Sequence, residues 1–330
     1  MTKRITYFDF LRGVAVLMVV GIHTFPQSTF GSISGNMEIV IRQMINCAVP
    51  LFLAISGFFL GQKQFDVNSD RIVFWKKQIP AIYIPCFIWS LPLFLFALIN
   101  QEQNLITNVV RLFLCGFSVY YFVILIIQLY IFLPYLKRRN ISHMLIISLV
   151  ISLVSAVLTT YLLAIKNYPI PLTVYAGPFP LLCFYFILGM YLGQKDRNYS
   201  LVWPVFFCII GLLLEYLETK FLIGFHGVGY GNKISFLPYS AAVIVLLFSK
   251  RLELWYERKS RCLQIFQKIG GISYGIYLIH CYVIIFISHV IPVELSWGVK
   301  WLCVIVITSI GILIVKKMMP LVSVKYLGFR

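Results

Sequence analysis

Three side chains near the start of the chain carry the first chemistry legible in it. Asp9, Arg12 and His23 stand in the run F-D-F-L-R-G-V-A-V-L-M-V-V-G-I-H, which is otherwise apolar. Asp9 and Arg12 are three residues apart, a spacing at which side chains on a helix meet, so Asp9 is expected to orient Arg12 and offset part of its charge. Arg12 and His23 are eleven residues apart. That is about three helical turns, so the two share a face and lie about 16 Å apart along the axis. A permanent cation at one end suits the phosphates of a long ligand. An imidazole at the other end suits removal of a proton from a hydroxyl near neutral pH.

The elements that must hold these groups are membrane-spanning helices. Of the 330 residues, 60% are hydrophobic and 12% charged, and the mean hydropathy is +0.90. A soluble domain is nearer 45–50% apolar and roughly 25% charged. A span needs about 20 largely apolar residues, and such stretches recur along the whole chain. They place spans at 8–25, 44–60, 79–99, 120–136, 142–165, 177–193, 201–217, 235–249, 272–291 and 297–317. The fold expected is therefore an all-α polytopic bundle of about ten transmembrane helices, one domain over residues 1–330. The segment 105–115 is amphipathic and too short to span, as an interfacial helix would be. An ionisable residue inside a span points to function by default. Two blander roles fit the first span equally well: Arg12 reaching to the membrane surface, and His23 facing headgroups at the far one.

Charge sets the orientation. With the N-terminal side counted as inside, twenty-two of the 28 Lys and Arg residues fall in inside segments and six outside, the six being Arg42, Arg111, Lys166, Lys220, Lys233 and Lys300. That asymmetry puts both termini in the cytoplasm. The net charge of +17 sits in short clusters between apolar runs, not in a basic stripe with interleaved aromatics, which argues against a nucleic-acid partner. The first apolar run carries Asp9, Arg12 and His23 with no small-residue cleavage site after it, so it reads as a retained span rather than a signal peptide. The eight cysteines show no C-x-x-C pair and mostly lie in apolar runs, where they are expected as small buried hydrophobes without metal or disulfide.

The residues quoted so far, with three further stretches, resemble the acyltransferase-3 family of membrane O-acyltransferases. The family's mark is Arg-x10-His with a preceding Asp and a following Gly, places filled by Asp9, Arg12, Gly13 and His23. The run V-P-L-F-L-A-I-S-G-F-F-L is similar to its Phe-rich stretch at Ser56, Gly57 and Phe58. Phe186-Ile-Leu-Gly189 with Gly193 is similar to its middle span, and I-S-Y-G-I-Y-L-I-H, ending at His280, to a late one. The resemblance implies an acyl group, usually acetyl, taken from a cytoplasmic coenzyme A thioester and placed on a hydroxyl of a cell-surface polysaccharide or lipid-linked glycan precursor. It makes His23 the catalytic base or transient acyl carrier, Arg12 the cation that positions the donor, and Asp9 and His280 their supports. No bound cofactor is implied; acyl-CoA is a substrate, and the location is a bacterial inner membrane. Where the family often has Arg-x-x-Arg before a Pro, this chain reads W-K-K-Q-I-P, so Lys76 and Lys77 supply the charge there. Lysine does so as a point charge, without arginine's fork.

Other residues are weaker candidates. Glu215 is expected at the outer end of its span, at the interface. His226 lies in the Gly-rich segment G-F-H-G-V-G-Y-G, and His143 and His289 read as loop or interface residues. Tyr120, Tyr121, Trp203 and Tyr230 are aromatic surfaces on which a sugar can stack. A polytopic transporter or glycan flippase also fits many spans with buried polar groups, but such proteins commonly show repeats with broken helices at matched positions, which are not seen here. A non-catalytic anchor or sensor is the third reading, which the retention of both Arg12 and His23 argues against.

Overall fold

The computed structural model describes residues 5–25, 33–65, 68–168, 170–226, 234–291 and 295–329, and these contain helices and no strand. The first half of the chain forms α1 (Thr6–Thr24), α2 (Ile33–Asn46), α3 (Ala48–Leu60), α4 (Asn68–Ile99), α5 (Leu105–Phe113), α6 (Tyr121–Leu136) and α7 (Ile141–Thr160). The second half forms α8 (Leu172–Tyr175), α9 (Cys183–Leu192), α10 (Val202–His226), α11 (Phe236–Leu247), α12 (Lys250–Gly271), α13 (Ser273–Val290), α14 (Trp297–Met318) and α15 (Pro320–Lys325).

Every expected span has a helix at its place. Seven stretches are long and apolar enough to cross a membrane: Thr6–Thr24, Met37–Leu60, Ser69–Ile99, Ser118–Leu136, Ile141–Ile165, Ser273–Val290 and Trp297–Met318. The other three positions are occupied by α9, α10 and α11. α9 has only ten residues, nearly all buried, and α3, α7 and α11 pack around it. A helix that is apolar all round needs such a sheath. The segment expected at the interface is α5. Its Asn104 cap accepts a hydrogen bond from Thr107 N at 2.7 Å, and Leu105, Ile106, Val110 and Phe113 are left exposed on one side.

The second span starts earlier than the sequence suggested. Met37–Leu60 is one apolar stretch broken at Cys47. Pro50 explains the break, since it supplies no N–H to the carbonyl four residues back. Arg42, counted above with the outside loops, therefore lies on a helix within the bundle. Glu215 also differs from expectation: it is fully buried on α10, not set at an interface. The neighbouring Thr219 bonds Gln43 of α2 at 2.7 Å, which ties α10 to the second span.

α1 is the hub, packing against α2, α3, α12, α13 and α14. Two helix crossings are closed by reciprocal glycines. A Cβ on Gly13 would lie 1.9 Å from the carbonyl oxygen of Phe266, and one on Gly270 1.8 Å from that of Asp9, so α1 and α12 touch backbone to backbone. Gly57 and Gly189 do the same for α3 and α9, at 2.0 Å from Phe186 O and 2.0 Å from Ala54 O. Small residues are what let helices in a bilayer approach this closely. The motif glycines Gly13 and Gly57 are thus packing devices.

A buried ion pair pins α12. Arg197 Nη2 reaches Glu253 Oε2 at 2.8 Å, Lys250 Nζ reaches Glu253 Oε1 at 2.6 Å, and the Arg197 guanidinium lies 4.9 Å over the Phe58 ring. Glu253 is 3% exposed. Removing one charge from such a pair strands the other, at a cost of about 3–5 kcal/mol. Glu253→Gln is therefore expected to lower the thermal midpoint in detergent clearly, while Glu257→Gln, on the exposed face, leaves it in place. Equal midpoints for the two variants would contradict the clamp.

Candidate active site

One cavity of ≈ 490 Å³ runs through the bundle beside α1. Arg12 and His23 both line it, as the shared helical face requires. Ser56 and Phe52 of α3, Asn46 and Arg42 of α2, Tyr121 and Tyr130 of α6, Tyr175 of α8, and Ser273, Tyr274 and Tyr277 of α13 complete its polar and aromatic wall. Most of the remaining lining is aliphatic, including Val19, Val49 and Ile126.

Arg12 stands at one end. Its Nη1 bonds Asp9 Oδ1 at 2.8 Å, and Asp9 is 3% exposed whereas the arginine side chain is 35% exposed. Phe59 lies under the guanidinium at 5.4 Å. The carboxylate thus fixes one edge of the fork and the ring supports its face. Arg12 is held within the bundle and opens on the cavity; it does not simply reach for a membrane surface.

His23 stands at the other end, and its ring is accessible from the cavity. It is not alone there. The ring of His280 on α13 comes within 5.3 Å of it, centroid to centroid. His280 is fully buried, and its Nδ1 meets the carbonyls of Tyr277 at 2.7 Å and Ile276 at 3.1 Å. Carbonyls only accept, so Nδ1 carries the hydrogen and Nε2 of the neutral ring bears the lone pair. Nε2 lies 3.4 Å from Cys281 Sγ. His280 is the eighth residue of α13, so that helix continues about 15 Å beyond it. The histidine pair therefore sits inside the bundle rather than among headgroups.

The sequence places α13 firmly. Tyr277 Oη donates to Val119 O at 2.6 Å, Tyr120 Oη donates to Leu278 O at 2.5 Å, and Tyr274 and Tyr282 donate to carbonyls of α4 at Ile82 and Trp89. Indole N–H groups of Trp297 and Trp301 on α14 bond the α1 carbonyls of Gly21 and Leu17, at 3.2 and 2.9 Å. These bonds come from three directions and fix the two helices that carry the histidines.

Arg12 and His23 thus line one cavity, with Asp9 bonded to the first and the His280 ring set behind the second. Lys76 and Lys77 lie exposed on the first part of α4 and do not line the cavity. Of the four aromatics suggested for a sugar, Tyr121 lines the cavity. Tyr120 is buried, Trp203 is on an exposed apolar face with Phe206 and Phe207, and Tyr230 lies outside the described residues. His143 and His289 are exposed, and the side chain of His226 lies outside the described residues. Arg42, Asn46, Tyr274 and Tyr277 were missed. For Tyr277 a signal existed, since it precedes His280 by three residues and so shares its side of a helix.

Comparison with known proteins agrees with this geometry. The family profile described as an acyltransferase domain matches residues 5–316. The chain is 27% identical over 304 residues to YfiQ of Bacillus subtilis (strain 168), provisionally named a membrane-bound acyltransferase, covering 83% of this chain and 80% of that protein. It is 24% identical over 321 residues to a serine/alanine racemase of Enterococcus gallinarum, which covers 91% of this chain but 44% of the racemase. An amino-acid racemase of Enterococcus faecalis matches at 31% over 113 residues, 34% of this chain and 16% of that protein. The chain thus spans under half the length of either racemase. No solved structure matches it. With the acyltransferase profile covering nearly its full length, and with Arg12 and His23 facing one cavity, the chain belongs to the acyltransferase-3 family.

Proposed function

We propose that this protein is an O-acyltransferase that moves an acyl group, acetyl in the first instance, from a cytoplasmic coenzyme A thioester to a hydroxyl of a cell-surface polysaccharide or lipid-linked glycan precursor. It works in a bacterial inner membrane with both termini cytoplasmic. The observation that carries this reading is one cavity lined by both Arg12 and His23, with the His280 ring behind His23. The donor's phosphates sit at the Arg12 fork and its pantetheine arm runs along the aliphatic wall. The thioester then lies near His23, about 16 Å away. Lys76 and Lys77, exposed near the same end of α4, draw phosphates toward the mouth.

The reaction follows from the tautomers. His23 removes the proton from the acceptor hydroxyl, and the oxygen attacks the thioester carbon. The C–S bond breaks, and the proton on His23 passes to the leaving thiolate, giving ester and free thiol. His280 does not touch the substrate. Its ring, 5.3 Å from that of His23 between centroids, stands behind the catalytic imidazole as a positioning group.

The donor half of this reading is tested by Arg12. Arg12→Ala in nanodiscs is expected to raise the KM for acetyl-CoA about tenfold or more, the value of a charge-assisted contact, and Arg12→Lys to recover part of it. An unchanged KM in Arg12→Ala would remove Arg12 from donor binding. Absence of thioester consumption in the wild type, with envelope extract supplied as acceptor, would favour transport over transfer.

A further inference from the structure

A buried arginine that the transfer chemistry does not use stands at the start of α4, away from the cavity. Arg71 is 8% exposed, and its Nε and Nη2 are both buried without a hydrogen-bond partner among the described residues. Those two nitrogens form one edge of the guanidinium. Their N–H bonds point the same way, and that edge takes two oxygens of one phosphate or carboxylate. The Tyr135 ring of α6 lies over the guanidinium carbon at 5.7 Å. Among the described residues no carboxylate forms an ion pair with Arg71. Asp70, next to it in the chain, points about 100° around the helix. A buried cation left so is costly unless an anion answers it.

Its surroundings are cationic. The first turns of α4 pack on the last turns of α6: the Phe74 and Tyr130 rings are 5.7 Å apart, and Trp75 Nε1 donates to Tyr130 O at 2.9 Å. Lys63, in the segment after α3, holds its Nζ 4.9 Å over the Phe74 ring, one turn along α4 from Arg71. Lys137, two residues past Tyr135, donates from Nζ to Gly61 O at 2.5 Å. The ends of α3, α4 and α6 thus bring Lys63, Arg71 and Lys137 to one place. Burial, helped by the charge of Lys77, pushes the Lys63 amine below its usual range, and burial does the same to Lys137. No neighbouring carboxylate offsets either shift. The rim of this cluster is apolar, with Ile72, Val73 and Phe132 exposed. α4 has 32 residues, about 48 Å of helix, against about 30 Å of hydrocarbon. With Ile99 at the outer surface, its first turns stand at headgroup depth on the side proposed above as cytoplasmic.

We infer that Arg71, with Lys63 and Lys137, binds the phosphate of an acidic phospholipid headgroup in the cytoplasmic leaflet. A soluble phosphate shares the anionic chemistry, but the exposed apolar residues beside the fork suit acyl chains and not water. The headgroup enters past Tyr135, the half-exposed ring at that boundary. Basic pockets between helices on this side of a membrane are where acidic lipids are held. The bound lipid joins the ends of α3, α4 and α6. This assignment makes no use of the acyl-transfer reading and stands or falls apart from it.

The test uses the full-length protein in nanodiscs of phosphatidylcholine alone or of equal parts phosphatidylcholine and phosphatidylglycerol. Retained lipid is identified by native mass spectrometry, and stability is read from melting curves. Wild type is expected to retain phosphatidylglycerol about tenfold or more over phosphatidylcholine and to melt higher in the mixed discs. Arg71→Gln is expected to lose both the preference and the gain, yet to melt no lower than wild type in phosphatidylcholine alone, since it gives up no hydrogen bond there. A merely structural arginine would lower the midpoint in both discs, and that result overturns the inference. Lys317→Gln, on the same rim at the end of α14, is expected to keep both properties. If Arg71→Gln does not fold, Lys63→Gln carries the same comparison. Equal retention of the two lipids by wild type, or an unchanged preference in the variant, also overturns the inference. Displacement of the lipid by inorganic phosphate, or a raised KM for acetyl-CoA in Arg71→Gln with lipid preference intact, gives the fork to a soluble phosphate and overturns the lipid assignment.

Discussion

His23→Ala is expected to lower acyl transfer by about 10²–10⁴-fold, the usual contribution of a positioned general base, in a protein that still folds. The expectation has two parts. The loss is large because His23 is, among the described residues, the imidazole that opens on the cavity, while its neighbour His280 is fully buried. Folding survives because the His23 ring faces the cavity instead of filling the core. Release of free thiol from acetyl-CoA, followed with a thiol reagent in nanodiscs, measures the first part. A melting curve measures the second. If His23→Ala turned over at the wild-type rate, His23 would not be the base. If it failed to fold, His23→Gln would carry the test, since it keeps a polar group of similar size without a basic nitrogen.

The largest expected loss of stability is at Gly13. A methyl group there would stand 1.9 Å from the Phe266 carbonyl oxygen and 2.8 Å from its carbon. Those are backbone atoms of α12 and cannot rotate aside as the end of a side chain would. Gly13→Ala must therefore push α12 off α1, at about 3 kcal/mol, the upper part of the range for overpacking. Because Asp9 is on the other side of the same crossing, through Gly270, the shift also disturbs the support of Arg12. The variant should melt well below wild type, and any folded fraction should show a raised KM for acetyl-CoA. Gly311→Ala is the matched control, since a Cβ there meets nothing within 4 Å. It should melt with the wild type. Equal midpoints for the two variants would mean that the α1–α12 crossing is looser than its backbone contacts imply.

How much of this was legible beforehand varied with the kind of signal. The spans were, because apolar length is a one-dimensional property and lipid leaves the backbone few other choices. The Arg12–His23 face was, because one helix fixes both positions. His280 was found through its motif and order in the chain, but its meeting with His23 joins residues far apart in sequence, which spacing cannot show. Arg42 was misplaced for a local reason. The charged residues Glu38 and Arg42 interrupt the apolar run before Pro50, so the span was started after them. An i, i+4 reading of Glu38, Arg42 and Asn46 would have extended the helix back by two turns. Glu215 was read as interfacial from its position near the end of an apolar run. Its burial depends on α2 and α11 packing over that face, and nothing in the α10 sequence announces those neighbours. Lys76 and Lys77 lie near the expected edge of the bundle, yet the helix turns them away from the cavity wall.

The central claim is that one chamber joins a coenzyme A thioester to an acceptor hydroxyl under the control of His23. Its most direct test is stoichiometry. Purified wild type in nanodiscs, given labelled acetyl-CoA and envelope extract, should release free thiol and form alkali-labile labelled ester one for one, and His23→Ala should do neither. Thiol release without ester, or no thiol release from the wild type at all, would contradict the claim.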